Sequence, residues 1–250
     1  MRKILLATLL AAGIAGPAAA AESPKAPAQE WSFGGLFGTL DLASAQRGFQ
    51  VYKEVCATCH GLYHLSYRNL GDIGFNEEEV KAIAAQATVR DGPNDQGEMF
   101  DRPGRPSDRF VRPFANEKAA RATNNGAYPP DLSLITKARA DGPNYIYGLL
   151  TGYGDPPPGT VMGEGMNWNK YFPGHQIAMP PPLTANGVTY SDGTPSSVEQ
   201  MAKDLVTFLA WSAEPEMEQR KRTGVKVILF LLVLTGLLYA VKRKVWAAVH

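Results

Sequence analysis

Cys56, Ala57, Thr58, Cys59 and His60 stand side by side in a chain of 250 residues that holds no other cysteine. Two thiols at this spacing, on a single turn, are open to three kinds of chemistry. They can cycle as a redox pair, share a metal ion, or each add to one vinyl group of the same porphyrin. A redox pair of the thioredoxin kind usually sits between a strand and a helix and lacks an adjoining histidine, whereas an amphipathic helix precedes this one. A zinc site needs further ligands at suitable spacing, and His64, His175 and His250 do not supply them. Two cysteines are also too few for a disulfide framework. The C-x-x-C-H run therefore reads as the attachment site of one covalent haem c. Cys56 and Cys59 form the thioethers, and His60 is held over the iron as an axial ligand.

A methionine or histidine on the opposite face of the iron gives a saturated electron-transfer haem, whereas an open site favours small ligands. The candidates are Met99, Met162, Met166, Met179, Met201, Met217, His64 and His175. His64 lies on the same local turn as His60 and cannot reach the far face. Met201 falls on an apolar helical stripe and reads as core, and Met217 adjoins the membrane segment described below. Met179 stands in Ile177-Ala178-Met179-Pro180-Pro181-Pro182, where a stiff proline run can press a loop against a haem. Met162 and Met166 follow close behind on position alone.

These residues need a scaffold. Residues 41–55 read as a helix that Asp41 caps, with Leu42, Ala45, Phe49, Tyr52 and Val55 or Cys56 near one face. Residues 77–87 form a second helix and 145–151 a short third one that Gly152 ends. A last one before the C-terminal segment starts at Ser196 or Ser197 and runs to about Glu214, with Val198, Met201, Leu205, Phe208 and Leu209 on its apolar stripe. Residues 91–113 and 152–182 are rich in Pro and Gly and read as loops. No strand is assigned, and no internal repeat is visible.

The ends carry different signals. Residues 1–21 have a basic start, an apolar stretch and small residues ending in Ala-x-Ala, the pattern of a cleaved secretory signal. Residues 225–241 are an apolar run flanked by Arg220, Lys221, Arg222 and Lys226 on one side and Lys242, Arg243 and Lys244 on the other. That run reads as a single-pass anchor with Trp246 at the far interface. The expected division is a signal at 1–21, an exported domain at 22–219, a basic flank and anchor at 220–241, and a cytoplasmic tail at 242–250. The exported span holds sixteen basic against 24 acidic residues, a formal charge of −8. So acidic a surface excludes nucleic acid and favours basic partners. Glu77, Glu78 and Glu79 and the loop from Asp91 to Asp108 fit a docking surface or plain solvation equally, and neither is assigned.

The run from Arg47 through Val55 into Cys56–His60 resembles the cytochrome c1 family, the haem-c subunit of ubiquinol–cytochrome c oxidoreductase. Further segments match in order: residues 122–133 (Ala-Thr-Asn-Asn-Gly-Ala-Tyr-Pro-Pro-Asp-Leu-Ser), Leu149-Leu150-Thr151-Gly152-Tyr153, Tyr171-Phe172-Pro173-Gly174 leading to Met179, and Ala213-Glu214-Pro215-Glu216. The resemblance covers about residues 40–246. It implies a mostly α fold: a class I cytochrome c-like helical core with long loop insertions, plus one C-terminal transmembrane helix. It implies His60 and Met179 as axial ligands, Arg139 and Tyr145 at the haem propionates, and Asn124, Pro129 and Pro130 lining the haem edge. Without the family, Arg139 reads as a solvated basic residue. Some members carry an extra disulfide, for which this chain has no cysteines left.

The resemblance further implies that electrons come from a Rieske iron–sulfur protein and leave to a cytochrome c, in one complex with cytochrome b. Methionine ligation raises the potential to or above that of a Rieske centre, whose range is about −150 to +300 mV. The short signal points to a bacterial inner membrane, with the haem domain in the periplasm. Three rivals remain: a tail-anchored cytochrome c of another respiratory complex, a haem-based ligand sensor with an open iron site, and a thiol oxidoreductase without haem.

Overall fold

Asp41 opens the first helix by accepting the Ser44 backbone N–H at 3.0 Å, which satisfies one of the donors a helix start leaves unpaired. The computed structural model describes residues 24–248, so the secretory signal expected at 1–21 lies outside the described residues. Helix α1 is Leu42–Glu54, and it runs directly into a 3-10 turn at Cys56–Thr58. Its buried face comprises Ser44, Ala45, Gly48, Phe49, Val51 and Tyr52. Leu42, expected on that face, is 47% exposed, since it stands on the first turn, ahead of the buried run that starts at Ser44.

The chain continues through a 3-10 segment at Tyr67–Ile73 and then α2, Glu77–Ala85. A reciprocal capping box between Asn76 and Glu79 starts α2. Next come strands β1 (Thr88–Asp91) and β2 (Phe100–Pro103), helix α3 (Glu117–Thr123) and helix α4 (Gly142–Thr151). After them stand the two-residue strands β3 (Asn167–Trp168) and β4 (Gln176–Ile177), then α5 (Val198–Ala213) and α6 (Met217–Trp246). Ser197 caps α5 by accepting the Gln200 N–H at 3.2 Å. The fold is mostly helical.

Helices α1 and α5 form the centre. At Gly48 a Cβ would stand 2.0 Å from the Asp204 carbonyl oxygen, so the two helices approach as closely as they do only because that position is glycine. Phe208 fills the seam between Phe49 and Tyr52, with ring centroids at 5.6 and 5.8 Å. Burying a side chain of this kind contributes about 1.5–3 kcal/mol. A polar clasp locks the same crossing. The buried Asp204 carboxylate accepts from Ser44 Oγ at 2.7 Å, Arg47 Nε at 2.9 Å and Gln200 Nε2 at 3.0 Å. Arg47 also reaches Asp192 at 2.9 Å. Met201 is 1% exposed and belongs to this core, as its stripe suggests.

Two regions read as loop contain short antiparallel ladders. Strands β1 and β2 pair from Thr88 opposite Pro103 to Asp91 opposite Phe100. Neither strand has an apolar face to betray it. The hairpin is held by charge, with Arg102 donating to Asp91 and, at 2.6 and 3.0 Å, to Asp108. Strands β3 and β4 pair only at Asn167 with Ile177 and Trp168 with Gln176, too short a stretch for alternation to register.

Helix α6 has 30 residues, about 45 Å at the usual rise. It buries none of its residues in the domain, and Phe230 and Leu232 are each 65% exposed. A helix this apolar on every side is long enough to cross a membrane. It starts before residue 220 and continues past 242, so one element runs through both of the boundaries expected there.

Candidate haem site

The attachment turn grows out of the end of α1. Cys59 N and His60 N both donate to the Cys56 carbonyl, at 3.1 and 2.8 Å, and Thr58 Oγ1 donates to the Val55 carbonyl at 3.0 Å. The turn leaves Cys56 buried and Cys59 half-buried. Burial, and secondarily the neighbouring Cys59, pushes the Cys56 thiol up to about 12. Redox-active C-x-x-C pairs have the opposite signature, a thiol acid enough to be a thiolate at neutral pH. Cys56 lacks that signature.

His60 is oriented from outside its own turn. Its Nδ1 lies 2.8 Å from the Pro130 carbonyl oxygen. A carbonyl can only accept, so Nδ1 carries the proton and Nε2 presents a bare lone pair. Burial lowers the imidazole's proton affinity, against a smaller opposing pull from the carbonyl, which keeps the ring neutral and able to bind a metal. The Tyr52 hydroxyl donates to the His60 carbonyl at 3.0 Å and fixes the backbone.

Pro130 is in turn held in register with the turn. Leu132 N donates to the Gly61 carbonyl at 2.9 Å, Tyr63 N to Asp131 Oδ2 at 2.9 Å, and His64 N to Ser133 Oγ at 3.1 Å. Asn124, expected at the haem edge, spends its side-chain amide on the Ala120 carbonyl at 2.7 Å, closing α3. Its contribution is to shape the loop that leads through Asn125 and Gly126, both at positive φ, to Pro129 and Pro130.

On the Met179 side, the Tyr153 hydroxyl donates to the Met179 carbonyl at 3.1 Å. The hub beneath is Asn169, fully buried. Its Nδ2 donates to the Leu149 carbonyl of α4 at 2.8 Å, its N–H to the His175 carbonyl at 2.9 Å, and its Oδ1 accepts from Tyr171 N at 3.0 Å. Gly152 completes the fastening, since a Cβ there would meet the Tyr171 ring at 2.6 Å. Met179 is half-buried on this anchored loop. Among the other candidates, Met99 and Met166 are 47% and 40% exposed, while Met162 is half-buried.

Arg139 is exposed and Tyr145 half-buried. The two lie within electrostatic reach: burial raises the Tyr145 phenol, and the Arg139 charge pulls it back down. Tyr145 in turn adds to the rise that burial causes at Tyr153. Arg139, Tyr145 and Tyr153 thus neighbour one another on the side that carries Met179. Tyr153 and Asn169 are the positions that sequence reasoning assigned no role. Tyr153 had a signal, the Leu-Thr-Gly-Tyr segment, whereas a buried asparagine in a loop has none.

Two thiols and an imidazole nitrogen left free on one turn fit the attachment side of a covalently held haem. A helical domain with this turn, followed by an apolar helix, defines a membrane-anchorable c-type cytochrome. Comparison with known proteins narrows the class. The profile of the cytochrome C1 family matches residues 31–249. Cytochrome c1 of Rhodospirillum rubrum is 47% identical over 98% of this chain and 97% of its own. The "Cytochrome b-c1 complex catalytic subunit, mitochondrial" of Candida albicans is 50% identical, over 89% of this chain and 78% of its own. "Cytochrome b/c1" of Bradyrhizobium diazoefficiens is 50% identical over 91% of this chain, which spans only 36% of that longer protein.

The chain belongs to the cytochrome c1 family. It is a haem c-bearing electron-transfer protein.

Proposed function

We propose that this chain is the cytochrome c1 subunit of a bacterial ubiquinol–cytochrome c oxidoreductase, taking electrons from a Rieske iron–sulfur protein and handing them to a cytochrome c. The names of its relatives support membership of a complex with cytochrome b. The observation that carries the site assignment is the 2.8 Å contact between His60 Nδ1 and the Pro130 carbonyl. It leaves Nε2, on the turn that carries both thiols, without a hydrogen-bond partner among the described residues.

Each residue then has a task. Cys56 and Cys59 would hold the haem covalently, each as a thioether to one of its vinyl groups. His60 and Met179 would ligate the iron, with the Pro130 and Tyr153 contacts holding their backbone and ring in place. Arg139 and Tyr145 would hold the propionates, and Asn124, Pro129 and Pro130 would line the haem edge. Haem c, when bound, supplies a one-electron couple whose potential methionine ligation raises. The remaining work of the protein is to fix distance and potential.

The domain order proposed is a cleaved signal at 1–21, a periplasmic haem domain at 22–219, an anchor at 220–241 and a short cytoplasmic tail. Membrane lipid contacts the anchor, and the bacterial inner membrane is the location that the export signal and α6 support. The test is a redox titration of Met179→Leu in protein purified from its own membranes. The potential falls by a sizeable part of the ~0.8 V that axial ligation spans, and reduction by the Rieske centre stops. An unchanged titration removes Met179 from the site. A difference spectrum of the unaltered preparation tests the complex, with c-type and b-type bands and a Rieske signal expected together.

A further inference from the structure

Asp131 follows Pro130, whose carbonyl oxygen lies 2.8 Å from His60 Nδ1. Its carboxylate joins two stretches of chain: Oδ1 accepts from Ser133 N and Oδ2 from Tyr63 N, each at 2.9 Å. The first bond closes a turn within the loop, and the second crosses to the residues just past the attachment turn. Oδ2 also lies over the bare Cα of Gly61, the residue after His60, where a Cβ would stand only 3.0 Å from it. Gly61 does not sit at positive φ, so what the missing side chain provides is room for this oxygen.

No cation matches that negative charge. Asp131 enters no ion pair among the described residues. Arg109 and Arg112, from the stretch that pairs with residues 65–67, lay their guanidinium groups on the Tyr63 ring instead, 4.6 and 4.0 Å from its centroid. The field of the carboxylate reaches the imidazole. Burial lowers the proton affinity of the His60 ring, and the Pro130 carbonyl and the Asp131 charge both oppose it.

We propose that Asp131 is a positioning residue for the haem of this chain and that its charge sets the potential downwards from the His60 side. The inference rests on the reading of His60 as an iron ligand. By joining Tyr63 to the loop at residues 131–133, the carboxylate keeps the Pro130 carbonyl aimed at Nδ1. Its fixed charge favours the oxidised iron, which carries one positive charge more than the reduced. Methionine ligation raises the potential, and Asp131 offsets part of that rise. An uncharged tie would do the first task and not the second.

The test is a redox titration of the c-type band in protein purified from its own membranes. Asp131→Asn keeps one acceptor oxygen and removes the charge, so the midpoint shifts upwards while haem attachment and the absorption spectrum stay as they were. Asp131→Ser, whose hydroxyl can close the same turn, shifts it the same way. Asp131 is exposed, so salt screens its charge. The gap between each variant and the unaltered protein therefore narrows towards about 1 M salt, where the Debye length is ~3 Å. Loss of a merely structural bond carries no such salt dependence. A midpoint that stays put or falls in both variants overturns the inference, and so does a gap that salt leaves unchanged. His60→Ala is titrated beside them. An unaltered spectrum there removes His60 from the iron and this inference with it, whereas an altered spectrum beside unmoved Asp131 variants overturns the inference alone.

Discussion

On the His60 side, five consecutive residues and one 3-10 turn bring both thiols and the imidazole together, and a single distant carbonyl, that of Pro130, sets the ring. On the Met179 side nothing is local. The methionine is reached through α4, the glycine-dependent contact at Gly152 and the Asn169 hub, with Tyr153 closing the circuit from 26 residues away. The contrast teaches how each half fails. The first half ends in covalent bonds, and once these form, loss of one hydrogen bond does not release the group. The second half depends on hydrogen bonds throughout, each worth a net ~0.5–1.5 kcal/mol, so loosening is graded.

Substitutions at the two halves should therefore differ in kind as well as size. The largest effect is expected from replacing Cys56 and Cys59 together by alanine. No haem remains attached after acid–acetone extraction, and a denaturing gel shows no haem-dependent peroxidase stain. Met179→Leu comes next: haem stays attached, the potential drops, and the ferrous form gains carbon monoxide binding. Tyr153→Phe removes one hydrogen bond and no packing. Carbon monoxide binding should rise about two- to twelvefold, the ratio that one such bond represents, with attachment intact. If Tyr153→Phe instead abolished attachment, the two halves could not be independent.

The smallest effect lies outside both halves, at the hairpin Arg102. Its guanidinium holds the Asp91 and Asp108 carboxyls below their ordinary value of 3.8. Carboxylates so depressed stabilise the fold above that value, and the gain is lost as pH falls through the lower, folded value. Arg102→Gln should speed amide exchange in β1 and β2 at neutral pH, and the difference from the unaltered protein should vanish in strong acid. The haem spectrum should not change.

The same contrast decides what could be read from the residues beforehand. Local features with an apolar stripe or a motif were legible. Asp41 and Ser197 are short polar caps before periodic apolar runs, and α1 and α5 follow them closely. The attachment turn was legible because the chemistry needs its residues in one place. Helix α3 was missed because its seven residues, Glu117–Thr123, bury only Ala120 and show no stripe. The β1–β2 hairpin was missed because ion pairs, rather than alternating apolar residues, hold it. Asn169 was invisible for a deeper reason: its importance comes from partners at 149, 171 and 175, a set only the folded loop assembles.

Only Glu214, Pro215 and Glu216 separate α5 from α6. That joint is also splinted, by Glu214 between Lys137 and Arg220 and by Lys221 under the loop at residue 33. A domain joined to its membrane helix without slack cannot swing. Its haem edge keeps a fixed height and bearing above the bilayer, like a lamp on a rigid post. In the proposed complex, electrons would then be carried to and from that fixed point by partners that travel.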